Sequence, residues 1–393
     1  MLISPDSGAH QITWVALGAP TEAIADLRSL LHFQLDNGRI PQQINWRFNQ
    51  SWSHPFKPRL YSKDIYNDLT QMPVLPYSLR AIYTATGDVA CLEEFVPKLV
   101  NYFSWWKTNR DLDGTGVVTI LHPWESGLDL SPSYDPALGV KSKRRASPSW
   151  GDIYPQLIEL ALSYNWRYSW DQKKILSRTS AALGPTNWFK VQDIAVNCVY
   201  ASGWGVLGDL ASHFNRTTAT ECYVNQKHAE KGILKTLFNE SAGYFVTGYK
   251  DKSNVQCFHS VRTVQMLFPL LLDSISAEQV STIINYLTNK DEFWTECPVP
   301  SVSRAEAEYN PIQNTDLLWR GPTWGFANWF VMEGLHKQGR TTVLNALMDK
   351  WIAMVKKGGI WEIYNPETAV GYGAEGLGMS NLIVDWMKRL DRL

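Results

Sequence analysis

Cysteine is scarce in this chain, five residues among 393, and no two of them stand in a C-x-x-C pair. That spacing argues against a zinc site or a disulfide frame, so Cys91, Cys198, Cys222, Cys257 and Cys297 read as free thiols in a reducing compartment. Long apolar runs are missing too. The longest, Met266 to Leu272, has about seven residues, against the ~18 needed to cross a bilayer, so no membrane-spanning helix is expected. The opening MLISPDSGAH lacks the basic and apolar regions of a secretory signal, which makes a cytoplasmic protein the expectation. Charge is sparse and balanced, with 37 Lys and Arg against 38 Asp and Glu and only 19% charged residues. A nucleic-acid partner held through phosphate neutralisation does not fit that balance.

What is abundant is aromatic: 18 Trp, 17 Tyr and 14 Phe. Two readings stand side by side. The rings can fill an ordinary core, where aromatics dominate packing. Alternatively, the many Trp beside Gly, Pro, Asn or Arg line a cleft whose flat faces take sugar rings or an apolar small molecule.

Helical periodicity runs through the sequence. Ser276-Ala-Glu-Gln279 forms a capping box ahead of Val280, Ile283, Ile284 and Leu287. After Pro20, Thr21 opens a helix with Ile24, Leu27 and Leu31 on one face, and Gly38 marks its stop. Similar segments fall near 9–18, 72–87, 90–109, 150–166, 170–182, 190–213, 219–238, 254–273, 321–338, 341–357 and 376–391. About a dozen helices with few convincing strands predict an all-α fold. No linker divides the chain, so residues 1–393 are read as one domain of inner and outer helices. The loops near 39–70, 110–149, 289–319 and 358–375 are too long for plain connections.

Those loops carry the chemistry. Leu121-His-Pro-Trp-Glu-Ser-Gly-Leu-Asp-Leu-Ser-Pro-Ser-Tyr-Asp135 holds three carboxylates among aromatics and prolines. Desolvation there can raise a carboxyl pKa until the acid keeps its proton near neutrality. Upstream, Asp111-Leu-Asp-Gly-Thr-Gly116 imitates a calcium loop but puts His122 where the bidentate Glu is required, so it reads as a turn. Trp319-Arg-Gly-Pro-Thr-Trp324 flanks an arginine with two rings, able to orient a carboxylate or ligand oxygens. Trp361-Glu-Ile-Tyr-Asn-Pro-Glu367 is followed by a Gly-rich stretch, Gly371 to Gly378, that lacks a phosphate loop's lysine. Two separated carboxylate groups across an aromatic cleft are the minimum equipment of a glycosidase. No metal or cofactor is expected.

In order, HPWESGLDLSPSYD, FWTECPVPSV, WRGPTW and WEIYNPET resemble the motifs of glycoside hydrolase family 63, particularly its mannosylglycerate and glucosylglycerate hydrolases. Weaker echoes are Ile40-Pro41, Gln71-Met-Pro-Val74 and Val191 to Asn197. The resemblance spans nearly the whole chain. It implies an (α/α)6 barrel and metal-free, inverting hydrolysis of an α-linked glucosyl or mannosyl group. It places Asp129 as general acid and Glu362 as general base, with Trp124, Gly127, Gln71, Trp319, Arg320 and Trp324 on the sugar-binding wall. An inverting pair would stand about 6.5–9.5 Å apart. Glu367 is expected to face solvent. The chain departs from the pattern in three places: Gly8 to Trp14 stands where a Trp-Asp pair is usual, Leu130 and Ser133 replace Asn and Arg, and Ile363 replaces Tyr. These losses of polar groups leave open an alternative, a reused barrel performing acid-base isomerisation, cyclisation or elimination on a more apolar molecule.

Overall fold

The computed structural model describes residues 2–44, 66–67, 69–139, 189–251, 253–311 and 318–393. The helices among them are α1 (Ser4–Ala16), α2 (Pro20–Leu31), α3 (Leu75–Thr86), α4 (Val89–Arg110), α5 (Asp135–Leu138), α6 (Ile194–Ala211), α7 (Arg216–Thr236), α8 (Ala277–Thr288), α9 (Gly325–Lys337), α10 (Thr341–Gly358) and α11 (Ile383–Arg389). Helices expected near 150–166 and 170–182, most of the loop expected at 39–70 and the last ten residues of the one expected at 110–149 lie outside the described residues. No described helix is long and apolar enough to cross a membrane.

Burial sorts these helices into two kinds. Helix α6 is buried at every residue but Asp209, and α9 is buried without a break from Gly325 to Leu335. A helix apolar all round must be surrounded by others. By contrast, α7 buries the single stripe Ala219, Cys222, Gln226, Ala229 and Ile233, and α8 buries Val280, Ile283 and Leu287, as surface helices do. The buried elements touch in a circuit. Helix α1 packs on α3, α3 on α6, α6 on the 3-10 segment Val264–Leu271, that segment on α9, α9 on the 3-10 turn Gly378–Leu382, and that turn back on α1.

Local chemistry explains most boundaries. The Ser276 capping box forms as expected, Asp88 caps α4, and Asn215 caps α7 through Thr218 N–H. Gly87, at φ 65°, closes α3 in the left-handed conformation that glycine tolerates. Other boundaries differ from expectation. Helix α2 ends at Leu31, because Gly38 is used in a tight turn pressed against the Asn101 carbonyl, too close for a Cβ. The stretch 254–273 is not one helix: it opens as a strand and continues as 3-10 turns, where Pro269 removes a helical N–H.

The strands are β1 (Leu2–Ile3), β2 (Gln43–Ile44), β3 (Val191–Gln192), β4 (Phe238–Asn239), β5 (Tyr244–Phe245), β6 (Gly248–Lys250), β7 (Gln256–Phe258), β8 (Thr323–Trp324), β9 (Trp361–Tyr364) and β10 (Gly371–Glu375). All pair antiparallel, and the most consequential sheet has the order β10-β9-β8. It turns the expected 358–375 loop into a hairpin carrying Glu362.

One ion network clamps the helices together. Glu333 of α9 is buried and receives Arg80 of α3 and Arg389 of α11, while Asp385 accepts the Trp329 indole N–H at 2.8 Å. Burial alone would raise the Glu333 pKa, but Arg80 and Arg389 outweigh it and hold it at about 2. Its stabilisation is therefore complete above the unfolded carboxyl's range and is lost as pH falls through about 2. Glu333→Ala should cost about 1–3 kcal/mol, since it removes the buried partner of Arg80 and Arg389, which are themselves about a third exposed. Urea melts at pH 7 and pH 3 check this: the difference between variant and wild type should shrink at the lower pH.

Candidate active site

The 121–135 loop is held from within before it can present anything. Glu125 is fully buried, paired with Arg110 at 2.6 Å, and accepts the Leu121 N–H at 2.9 Å. It is thus a brace for the loop. His122 Nδ1 accepts the Trp124 N–H, and the Ser126 hydroxyl donates to the Pro123 carbonyl while accepting Leu128 N–H. Downstream, Tyr134 donates to Asp193 at 2.7 Å, and Asp193 caps α6 through Val196 N–H. The Asn197 side chain clasps both backbone groups of Val118. The motif from Val191 to Asn197 therefore fastens the segment that leads into the loop. The pseudo-calcium segment is a turn in which Asp111 accepts Thr115 and Gly116 N–H.

The other motifs mesh with this one. Arg320 forms a buried fork on Asp135, 185 residues away, with contacts of 2.9 and 2.5 Å. The carboxylate that Arg320 orients is therefore supplied by the protein. Trp319 and Trp324 stack on each other, centroids 4.3 Å apart and planes within 4°, and both are buried. The Trp324 indole donates to the Leu318 carbonyl. These rings brace the turn through their mutual faces. Thr323 Oγ1 donates to the Cys297 carbonyl and Cys297 N–H to the Pro366 carbonyl, tying FWTECPVPSV to WRGPTW and to the β9 hairpin. Trp124 stays half-exposed beside His122.

Three carboxylates from these motifs and from α1 are linked in series by their charges, Asp129 to Asp6 and Asp6 to Glu362. Asp129, on the loop, is half-buried, and its Oδ1 is sealed from solvent with no hydrogen-bond donor. Burial first, and the negative charge of Asp6 second, push its pKa up to about 7. Asp6 is in turn raised to about 6 by burial and by Glu362. Glu362 accepts the Ala374 N–H on Oε2 at 3.0 Å. Among the described residues no group of three or more His, Cys, Asp or Glu is placed to hold a metal ion.

Asp6 is not among the residues that the sequence singles out, although Pro5-Asp6 stands at the start of α1, close to where a Trp-Asp pair is usual. Gln71 precedes α3 and is buried, with Oε1 lacking a donor. Its Nε2 lies 2.9 Å from where a Cβ on Gly127 would stand, and Gly127 has φ 72°. A side chain at 127 would thus meet both strain and Gln71.

Two departures have structural consequences. Leu130, next to the acid, sits at φ 64°, a left-handed conformation that asparagine tolerates far better than leucine. Ser133 joins a buried hydroxyl cluster in which Ser131, Ser133 and Thr263 all donate toward Gln265 Oε1. Glu367 faces solvent only in part: the Asn365 side chain turns the chain back, so the half-buried Glu367 accepts the Tyr309 hydroxyl at 2.7 Å and pairs with Arg304 at 3.2 Å.

Carboxylates of unequal environment, with unpaired buried acceptors beside them, suit acid-base chemistry on a polar molecule, and comparison with known proteins narrows this. A family model described as "Mannosylglycerate hydrolase MGH1-like glycoside hydrolase domain" matches residues 1–379. The chain belongs to that family and is a glycoside hydrolase. It is 27% identical over 412 residues to mannosylglycerate hydrolase MGH1 of Selaginella moellendorffii, covering 94% of this chain and 78% of the relative. It is 26% identical over 335 residues to a mannosylglycerate hydrolase of Thermus thermophilus, covering 79% and 75%. Its fold matches the crystal structure of a family 63 mannosylglycerate hydrolase, also of Thermus thermophilus, in complex with Tris and D-glycerate. That match has TM-score 0.81 at 24% identity and covers 98% of this chain and 93% of the other.

Proposed function

We propose that this chain is one catalytic domain, an (α/α)6 barrel, that hydrolyses an α-linked mannosyl or glucosyl group from a small polar aglycone with inversion. The closed circuit of six buried elements supports the barrel, because each is separated in sequence from the next by helices that bury one stripe or by loops. Asp6, Gln71, Asp193 and the 319–324 turn all lie at or just before the N-terminal ends of buried elements. The site therefore gathers at one end of the ring.

The observation that carries the proposal is Asp129: a carboxyl with a pKa raised to about 7 and an oxygen sealed without a donor. In that state it can give a proton to a glycosidic oxygen, while Glu362 takes one from water on the opposite face. Gln71 Oε1 is a second buried acceptor, matched to a sugar hydroxyl. Trp124, half-exposed and packed edge-on against His122, presents a ring face to the sugar, while Trp319, Trp324 and Arg320 stiffen the wall behind. Mannosylglycerate is the first substrate to test, given the relatives' names.

Purified protein should release sugar from α-mannosylglycerate or α-glucosylglycerate faster than from aryl α-glycosides or trehalose. Turnover of no glycoside in that panel would move the assignment to the non-hydrolytic alternative.

A further inference from the structure

Glu362 sits in the middle of β9, opposite an irregularity in β10. Ile363 pairs with Tyr372 and Trp361 with Glu375, so two steps along β9 face three along β10. The extra residue makes a β-bulge, and Gly373 in it has φ 77°, the conformation a glycine bulge requires. The bulge turns one backbone group toward the carboxyl: Ala374 N–H donates to Glu362 Oε2 at 3.0 Å. It also leaves no room. A Cβ on Gly373 would stand 2.4 Å from Glu362 Oε2 and 2.9 Å from its Cβ. Gly376, in the same hairpin at φ 72°, has nothing within 4 Å of the equivalent point.

We propose that the Gly373–Ala374 bulge is a positioning device for Glu362, with Gly373 required because any side chain there displaces the carboxyl that the Ala374 amide holds. The proposal rests on Glu362 being the base. Donation to Oε2 fixes the carboxyl plane and leaves Oε1 as the oxygen that meets the attacking water. A base that must reach a water within hydrogen-bond distance is sensitive to such a shift. The backbone donor cannot be mutated directly, so the glycine is the accessible handle.

Gly373→Ala and Gly376→Ala both place alanine at positive φ and carry similar backbone strain. With α-mannosylglycerate, Gly373→Ala should lower kcat by about 10²-fold with KM within about twofold, while Gly376→Ala stays near wild type. Stability gives a second readout. Gly373→Ala should destabilise wild type more than it destabilises Glu362→Ala, which lacks the carboxyl that the new Cβ would strike. If Gly373→Ala does not fold, folding of Gly373→Ala/Glu362→Ala supports the contact, and failure of the double variant overturns it. Equal kcat for Gly373→Ala and Gly376→Ala, with Glu362→Gln inactive, overturns the positioning role alone. An active Glu362→Gln instead removes the base assignment on which the role depends.

Discussion

Asp129→Asn should abolish turnover and leave the fold intact. An amide fills the volume of the carboxyl but has no proton to give the leaving oxygen, so the rate falls by about 10²–10⁴. Burial and Asp6 raise this carboxyl to about 7, above its unfolded range, so the folded state resists ionising it. Wild-type stability thus declines as pH rises toward 7, and Asp129→Asn, which cannot ionise, escapes that decline. Activity follows the same proton. Turnover should fall as pH rises through about 7, and in Asp6→Asn the falling limb should move to lower pH, because a neighbouring negative charge is gone. Near-normal kcat in Asp129→Asn would remove the acid assignment. Glu125 could not inherit the role easily, since Arg110 and the Leu121 amide already engage it.

The parts of this molecule that were legible in sequence are those fixed by short-range chemistry. The Ser276 box, the stripe on α8 and the stop at Gly87 each depend on residues within two turns. Val264 to Leu271 was harder, because an apolar run suits a buried helix and a buried 3-10 segment equally, and only Pro269 and neighbouring packing decide. The β9–β10 hairpin was hidden by glycines that read as loop but serve a bulge. At the site, the motif order points to Asp129 and Glu362, and Asp6 lies within electrostatic reach of each. Asp6 itself carried no visible signal, because an acid in a helix's first turn is what the helix dipole favours anyway. Trp319, Trp324 and Arg320 show the opposite case, in which the residues stand out but their partners do not. Flanking rings and an arginine look like ligand-binding equipment in one dimension, yet the Gly-Pro turn folds the rings onto each other and Asp135 arrives from 185 residues away.

The second carboxylate supplies the other large expected effect. Glu362→Gln should reduce kcat by about 10²–10⁴ with little change in KM, because the amide can still accept from Ala374 N–H but cannot take a proton from water. Glu367 and Glu375 offer no substitute: the first is held by Tyr309 and Arg304, and the second is exposed on the outer end of β10. If the pair inverts, the Glu362 and Asp129 carboxyls stand about 6.5–9.5 Å apart with one water between the base and the anomeric carbon. A separation near 5 Å belongs to a retaining enzyme, in which Glu362 would attack the sugar itself. Stereochemistry separates the two without a structure. Proton NMR during hydrolysis of an α-mannoside should show β-mannose first, with α-mannose growing in only by mutarotation. Early α-mannose would establish retention, and Glu362 would then be the nucleophile of a covalent intermediate trappable by mass spectrometry.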